Sequence, residues 1–249
     1  MEESVQPNPD SSDFSAALLD QMFRLWVEPA LAERGLGLTR SDVVKALVVM
    51  APADVPRVYI NDEVQLIARV RATRSVQEGE AVTLEDVSEV ESLWPANVDG
   101  NAGWITFAKF GNEITIAFDF RRNRQTATLL VERAAEFAEA AAGSLSRAHL
   151  GPAIENAFAA AELAVKAQMF LMDDKPTTKH HERVAWWTEW ERLGNAPAGA
   201  SQVLLLLFKE RGASRYGDGP ISMDLNDVRK ALDAVREMIN FARARSGKK

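Results

Sequence analysis

The hydrophobic period of this chain changes near Asn123, and that change limits the folds open to it. Before it, short runs rich in valine, isoleucine and aromatics alternate in part, as half-buried strands do: "VVKALVVM", "RVYI", "EVQLIARVRA", "GWITFAKF" and "EITIAFDF". After it, apolar residues recur every three or four positions, as on one face of a helix. The two periods cannot share one layer. The expected fold is therefore α+β: an N-terminal antiparallel sheet with flanking helices, followed by an all-α helical bundle.

At 249 residues the chain has room for two domains of ordinary size. Their expected bounds are a disordered tail over 1–12, an α+β domain over 13–143 and a helical bundle over 144–249. Residues 14–33 place Leu18, Met22, Leu25 and Trp26 on one helical face, with Pro29 expected to end or kink the helix. "IND" and "FGNE" carry the asparagine and glycine that tight turns between strands require. "RQTATLLVERAAEFAEAAAG" reads as a helix that stops at Gly143 and closes the first domain.

The remaining helices follow from the same spacing. Residues 149–172 put Ile154, Phe158, Ala161, Val165 and Met172 on one stripe, and Glu155, Glu162 and Lys166 on another. "KPTTKHHERVAWWTEWERLG" is a second helix, with Trp186 and Trp190 on one face and Trp187 turned about 100° away. "SQVLLLLFKERG" is apolar nearly all round, so it is expected to be buried by its neighbours, with Ser201 as start and Gly212 as stop. The final helix starts at Asp224.

Composition narrows the chemistry. The chain has no cysteine, which excludes disulfides and thiolate metal ligands, so packing must hold the fold. The longest aliphatic run, "VLLLLF", is far short of the roughly 20 residues of a membrane helix. With no basic, apolar leader at the N-terminus, a cytoplasmic location is the default expectation. Net charge is −7, with 13 basic and 23 acidic residues up to Gly143 and 16 basic against 13 acidic after it. The back half is thus the better place for a phosphate contact. Neither a Walker phosphate loop, nor a dinucleotide fingerprint, nor a histidine-glutamate zinc helix occurs, so neither a metal nor a cofactor is expected.

Three stretches appear in order in the helical half: "ENAFAAAELAVKAQMFL", "TKHHERVAWW" and "LLLFKERGASRY". In this order and spacing they resemble the HEPN family, whose members are helical bundles of four or five helices, usually dimeric. The resemblance implies a homodimer through the C-terminal helices. HEPN ribonucleases carry an arginine followed four to six residues later by a histidine, and cleave without metal. On that likeness Arg211 stands in the arginine position and Tyr216 in the histidine position. A tyrosine hydroxyl with its ordinary pKa of about 10 is protonated at neutral pH and is a poor base.

Three readings of Arg211–Tyr216 follow. Arg211 caps the end of the apolar helix while Tyr216 packs under a loop. Alternatively, Arg211 and Arg215 hold a nucleotide or RNA phosphate, Tyr216 stacks on a base, and Lys166, His180 and His181 assist. Or the chain is a metal-independent ribonuclease of toxin or defence type, with Arg211, Tyr216 and a histidine such as His180 as its catalytic candidates. The tyrosine favours binding over cleavage. Arg121, Arg122 and Arg124 read as a solvated edge or helix start. The N-terminal domain is expected to serve as a sensor, an oligomerisation surface or a docking module for a protein partner.

Overall fold

The computed structural model describes residues 9–111, 113–172 and 177–247. Most of the tail expected over 1–12 lies outside them, but helix α1 (Pro9–Met22) already begins at Pro9. Proline is well suited to a first helical turn, where its missing N–H is not needed. The chain divides into two compact units, residues 1–120 and 121–249.

In the first unit, α1 runs through a π-helical turn, Phe23–Val27, into α2 (Glu28–Arg34). Pro29 falls in the first turn of α2, where it interrupts nothing. The helices bury Met22, Phe23, Val27 and Leu31 against alternate residues of a four-stranded antiparallel sheet: Ala46 and Val48, Ile60, Ile105 and Phe107. The strands are β1 (Lys45–Met50), β2 (Arg57–Ile60), β5 (Gly103–Phe110) and β6 (Glu113–Asp119), in the order β2-β1-β5-β6. Gly111 makes the β5–β6 turn at φ +61°.

The "IND" turn does not join two paired strands. Asn61, at φ +51°, leads out of the sheet to β3 (Leu66–Ala72), which pairs with β4 (Val87–Pro95) in a separate two-stranded sheet. β4 was not expected, because "VSEVESLWP" carries two glutamates in its first five residues. Those carboxylates face Arg71 across the strands, Glu89 at 2.7 Å and Glu91 at 3.2 Å. Beyond them Arg74 pairs with Asp86 at 2.6 Å. The guanidinium of Arg74 and the Thr83 N–H hold the Asp86 carboxyl down to about 2.

Among the described residues the second unit holds five helices: α3 (Arg124–Ser146), α4 (Leu150–Met172), α5 (His180–Arg192), α6 (Ala200–Tyr216) and α7 (Leu225–Ser246). Here α3 departs from expectation. It runs past Gly143 to Ser146 and packs in the helical bundle rather than closing the sheet unit. Its buried face, Ala127, Val131, Ala134, Ala138 and Ala141, is small enough for close approach to the alanines of α4. The arginines that precede it tie it there. Arg121 donates to the Arg245 carbonyl at 3.2 Å, Arg124 to Gly247 at 2.8 Å and the Arg122 N–H to Leu171 at 3.1 Å. They satisfy carbonyls at the C-terminal ends of α7 and α4, which no intrahelical N–H can reach. Of the two readings of these arginines, solvated edge or helix start, the second holds, since α3 begins at Arg124 and the three residues make helix-end contacts; the helical unit starts at 121 rather than 144.

Two carboxylates fix the remaining connections. Glu191 accepts from the Gly199 and Ser201 N–H groups, both at 2.6 Å, and so caps α6 from the preceding helix. Burial acts to raise its carboxyl, but the bonds from Ser201 and Gly199 outweigh it and leave it below the ordinary range. Glu210 accepts from Ser222 N–H and hydroxyl and pins the segment before α7. The final helix starts beside Asp224 as expected, and the Asp224 side chain caps it by accepting from the Asn226 and Asp227 N–H groups. Among the described residues, no helix is long and apolar enough to cross a membrane.

Candidate phosphate-binding site

Gly212 does not end α6. The helix continues to Tyr216 and is capped by Gly217 at φ +72°. Arg211, Arg215 and Tyr216 therefore lie on a helix rather than a loop, and helical spacing sorts them. Four residues bring Arg215 back to the face of Arg211, whereas five turn Tyr216 about 140° away. The Tyr216 side chain is accordingly exposed, at 68% of its full area.

Arg211 and Arg215 converge on Glu155 of α4. The Arg211 Nε lies 3.6 Å from one carboxylate oxygen, and an Arg215 Nη lies 3.9 Å from the other. Both distances are ion-pair range and too long for hydrogen bonds. The Arg211 Nε and Glu155 Oε1 are buried yet make no hydrogen bond among the described residues. The Arg211 guanidinium lies 5.4 Å from the centre of the Phe158 ring, and that of Arg215 lies 5.6 Å from the Tyr216 ring.

Phe158 links this arrangement to a second one. The His180 ring, in the first turn of α5, lies 6.0 Å from it. His180 Nδ1 is bonded to Glu162, which also accepts from Arg183 at 3.1 Å. Glu155, Phe158 and Glu162 recur at three and four residues along α4, so one stripe of that helix carries the whole assembly. Arg183 is buried, and it further donates to the Thr177 and Thr178 carbonyls at 3.1 and 2.9 Å. Those bonds anchor the approach to α5. Lys179 and Thr177 donate to Glu182 and hold its carboxyl below the ordinary range.

The other sequence candidates stand apart from this cluster. Lys166 packs over Phe170, 5.9 Å from its ring centre, rather than pairing with Glu162 as helical spacing suggested. His181 is exposed, 4.0 Å from Glu182, and His149 is exposed at the start of α4. Trp187 is fully buried; Trp186 and Trp190 stack at 5.0 Å and are half-buried. The α6 face is also less covered than expected, since Leu205 and Leu206 each keep 39% of their area exposed.

Residues 127–245 match the family model of the HEPN domain. The C-terminal half is a HEPN domain. No curated protein matches the chain. The HEPN match starts at Ala127, within α3, so it too includes the helix that the periodicity alone had assigned to the first domain. Phe158, read from the sequence only as part of an apolar stripe, and Arg183, given no role there, are both buried and hold the two arrangements together. Glu155 and Glu162 were legible only as a polar stripe; their seven-residue separation is the signal that both lie on one face of α4.

Proposed function

We propose that this HEPN domain is a non-catalytic, phosphate-binding module that recognises a nucleotide or RNA through Arg211 and Arg215. The observation that carries this reading is the convergence of two arginines, rich in unused donors, on one carboxylate beside an aromatic floor. Each guanidinium offers five N–H donors in a planar fork suited to phosphate oxygens, and the side chains of Arg211 and Arg215 make no hydrogen bond among the described residues. Tyr216 contributes an exposed ring beside Arg215 on which a base stacks. His180 borders the site across Phe158; Lys166 and His181 stand apart from it.

The ribonuclease reading has one specific support: His180 shares the Phe158 ring with Arg211, so an imidazole does stand near the arginine. Its Nδ1 is committed to Glu162, and Tyr216, in the histidine position of the motif, points elsewhere. RNA incubated with the purified protein in excess EDTA is expected to stay intact while it binds. Cleavage that disappears in Arg211→Ala, with the fold retained, would replace the binding reading with a nuclease. Dimerisation through the C-terminal helices belongs to the same proposal, with the exposed Leu205 and Leu206 of α6 as its apolar contact, and sedimentation of Leu205→Lys and Leu206→Lys tests it.

A further inference from the structure

Glu155 works against a site built for phosphate alone. Beside Arg211 and Arg215, at 3.6 and 3.9 Å, its carboxylate cancels part of the charge that draws in any anion. It also differs from the other part-buried carboxylates of the helical unit. Glu162 is bonded by His180 and Arg183, Glu191 by the Gly199 and Ser201 N–H groups, and Glu210 by the N–H and hydroxyl of Ser222. Glu155 accepts no hydrogen bond among the described residues, although its side chain is only 26% exposed. An ionised carboxylate is an acceptor with about four lone-pair positions, and leaving them unfilled in a partly desolvated place is costly. Oε1 is enclosed by the fold, so the oxygen left to meet a ligand is Oε2, the one that faces Arg215.

An open acceptor thus stands beside an open donor. Arg215 Nη1 and Glu155 Oε2 lie 3.9 Å apart. A ligand that satisfies both presents an anionic oxygen to the guanidinium and, next to it, a group that donates to the carboxylate. RNA carries this combination on neighbouring ribose carbons, with the phosphate on the 3′-oxygen and a donor in the 2′-hydroxyl. DNA has hydrogen in place of that hydroxyl, so a deoxy strand leaves Oε2 facing phosphate oxygens with no donor between them.

Resting on the phosphate-binding reading above, we infer that Glu155 is the specificity-determining residue of the site, accepting a hydrogen bond from the ribose 2′-hydroxyl beside the phosphate that the arginines hold. The ligand is a ribonucleotide, free or within a single strand, and Glu155 trades some attraction for phosphate against recognition of the sugar.

The test is fluorescence anisotropy of the full chain at neutral pH with a short single-stranded RNA and with the same strand made 2′-fluoro, which removes the donor while keeping the ribose pucker. The RNA is expected to bind about tenfold more tightly, the scale of one hydrogen bond to a charged group. In Glu155→Leu the ratio should fall close to one, and the 2′-fluoro strand should bind at least as tightly as to the native chain, because the arginines lose their counter-charge. Glu155→Gln keeps an acceptor without the charge, so both strands should bind more tightly and a few-fold preference should remain. A purely structural Glu155 would instead weaken both strands together and leave the ratio intact. The tenfold ratio should recur between 3′-AMP and its 2′-deoxy form; 3′-AMP that binds as tightly as the strand assigns the site to free nucleotides, and weaker binding assigns it to RNA. Equal affinity of the native chain for RNA and its 2′-fluoro form, or a ratio unchanged in Glu155→Leu, would overturn the sugar reading while leaving phosphate binding in place. No binding of either strand or of 3′-AMP by folded protein would remove both.

Discussion

Two carboxylates seven residues apart on α4 meet two arginine systems, and they do so in opposite ways. At Glu162 the partner Arg183 is buried and makes three hydrogen bonds of 2.9 to 3.1 Å, to Glu162, Thr177 and Thr178. At Glu155 the partners Arg211 and Arg215 sit at 3.6 and 3.9 Å, are more open to solvent, and make no side-chain hydrogen bond among the described residues. The same pair of residue types thus yields a fixed structural joint in one place and an exchangeable contact in the other. What separates them is burial and donor use: Arg183 is buried and spends three of its five N–H donors inside the fold, whereas Arg211 and Arg215 have only a loose counter-charge.

The sharpest way to break this contrast is to remove the arginine at each end. Arg183→Met should destabilise the helical unit by about 3 kcal/mol, because Glu162 is left buried without its main cation and two carbonyls lose a donor. A denaturant melt reads this, and a change below about 1 kcal/mol would put Arg183 in the same class as Arg211. Arg211→Ala should do the reverse. Phosphate affinity should fall about tenfold or more, as expected for loss of a charge-assisted pair. The melting midpoint should move little.

Two smaller effects sharpen it further. Tyr216→Ala should weaken nucleotide binding several-fold through lost stacking, and Tyr216→Phe should leave it unchanged, since the account gives the hydroxyl no role. Asp86 offers a saturated pair on the surface of the other unit. Its folded pKa of about 2 lies below the ordinary value, so its contribution is complete above about pH 4 and is lost as pH falls toward 2. Acid titration of the β3–β4 hairpin by NMR should show that midpoint, and Asp86→Asn should abolish the dependence without touching phosphate binding.

Much of the architecture was legible from the period of the apolar residues. The strands of the main sheet, α4 and α7 follow it. The misses have local causes. β4 was hidden by Glu89 and Glu91, whose charge reads as loop until Arg71 stands opposite. The end of α6 was misplaced because Gly212 resembles a helix stop, while the glycine with positive φ is Gly217, five residues on. That shift matters most for the site: placing Arg211 and Tyr216 in a loop let them act together, and a helix sends them apart. The domain boundary failed for a related reason, since period shows that α3 is a helix but not which neighbours its alanine face meets.

The most direct test is the salt dependence of binding to a short 5′-phosphorylated RNA, for the native chain and for Arg211→Ala/Arg215→Ala. One phosphate held by both arginines predicts a log–log slope of about −0.7 on a single strand, falling toward zero in the double variant. An affinity that ignores salt, or a slope that survives loss of both arginines, would contradict the assignment of this pair as the phosphate fork.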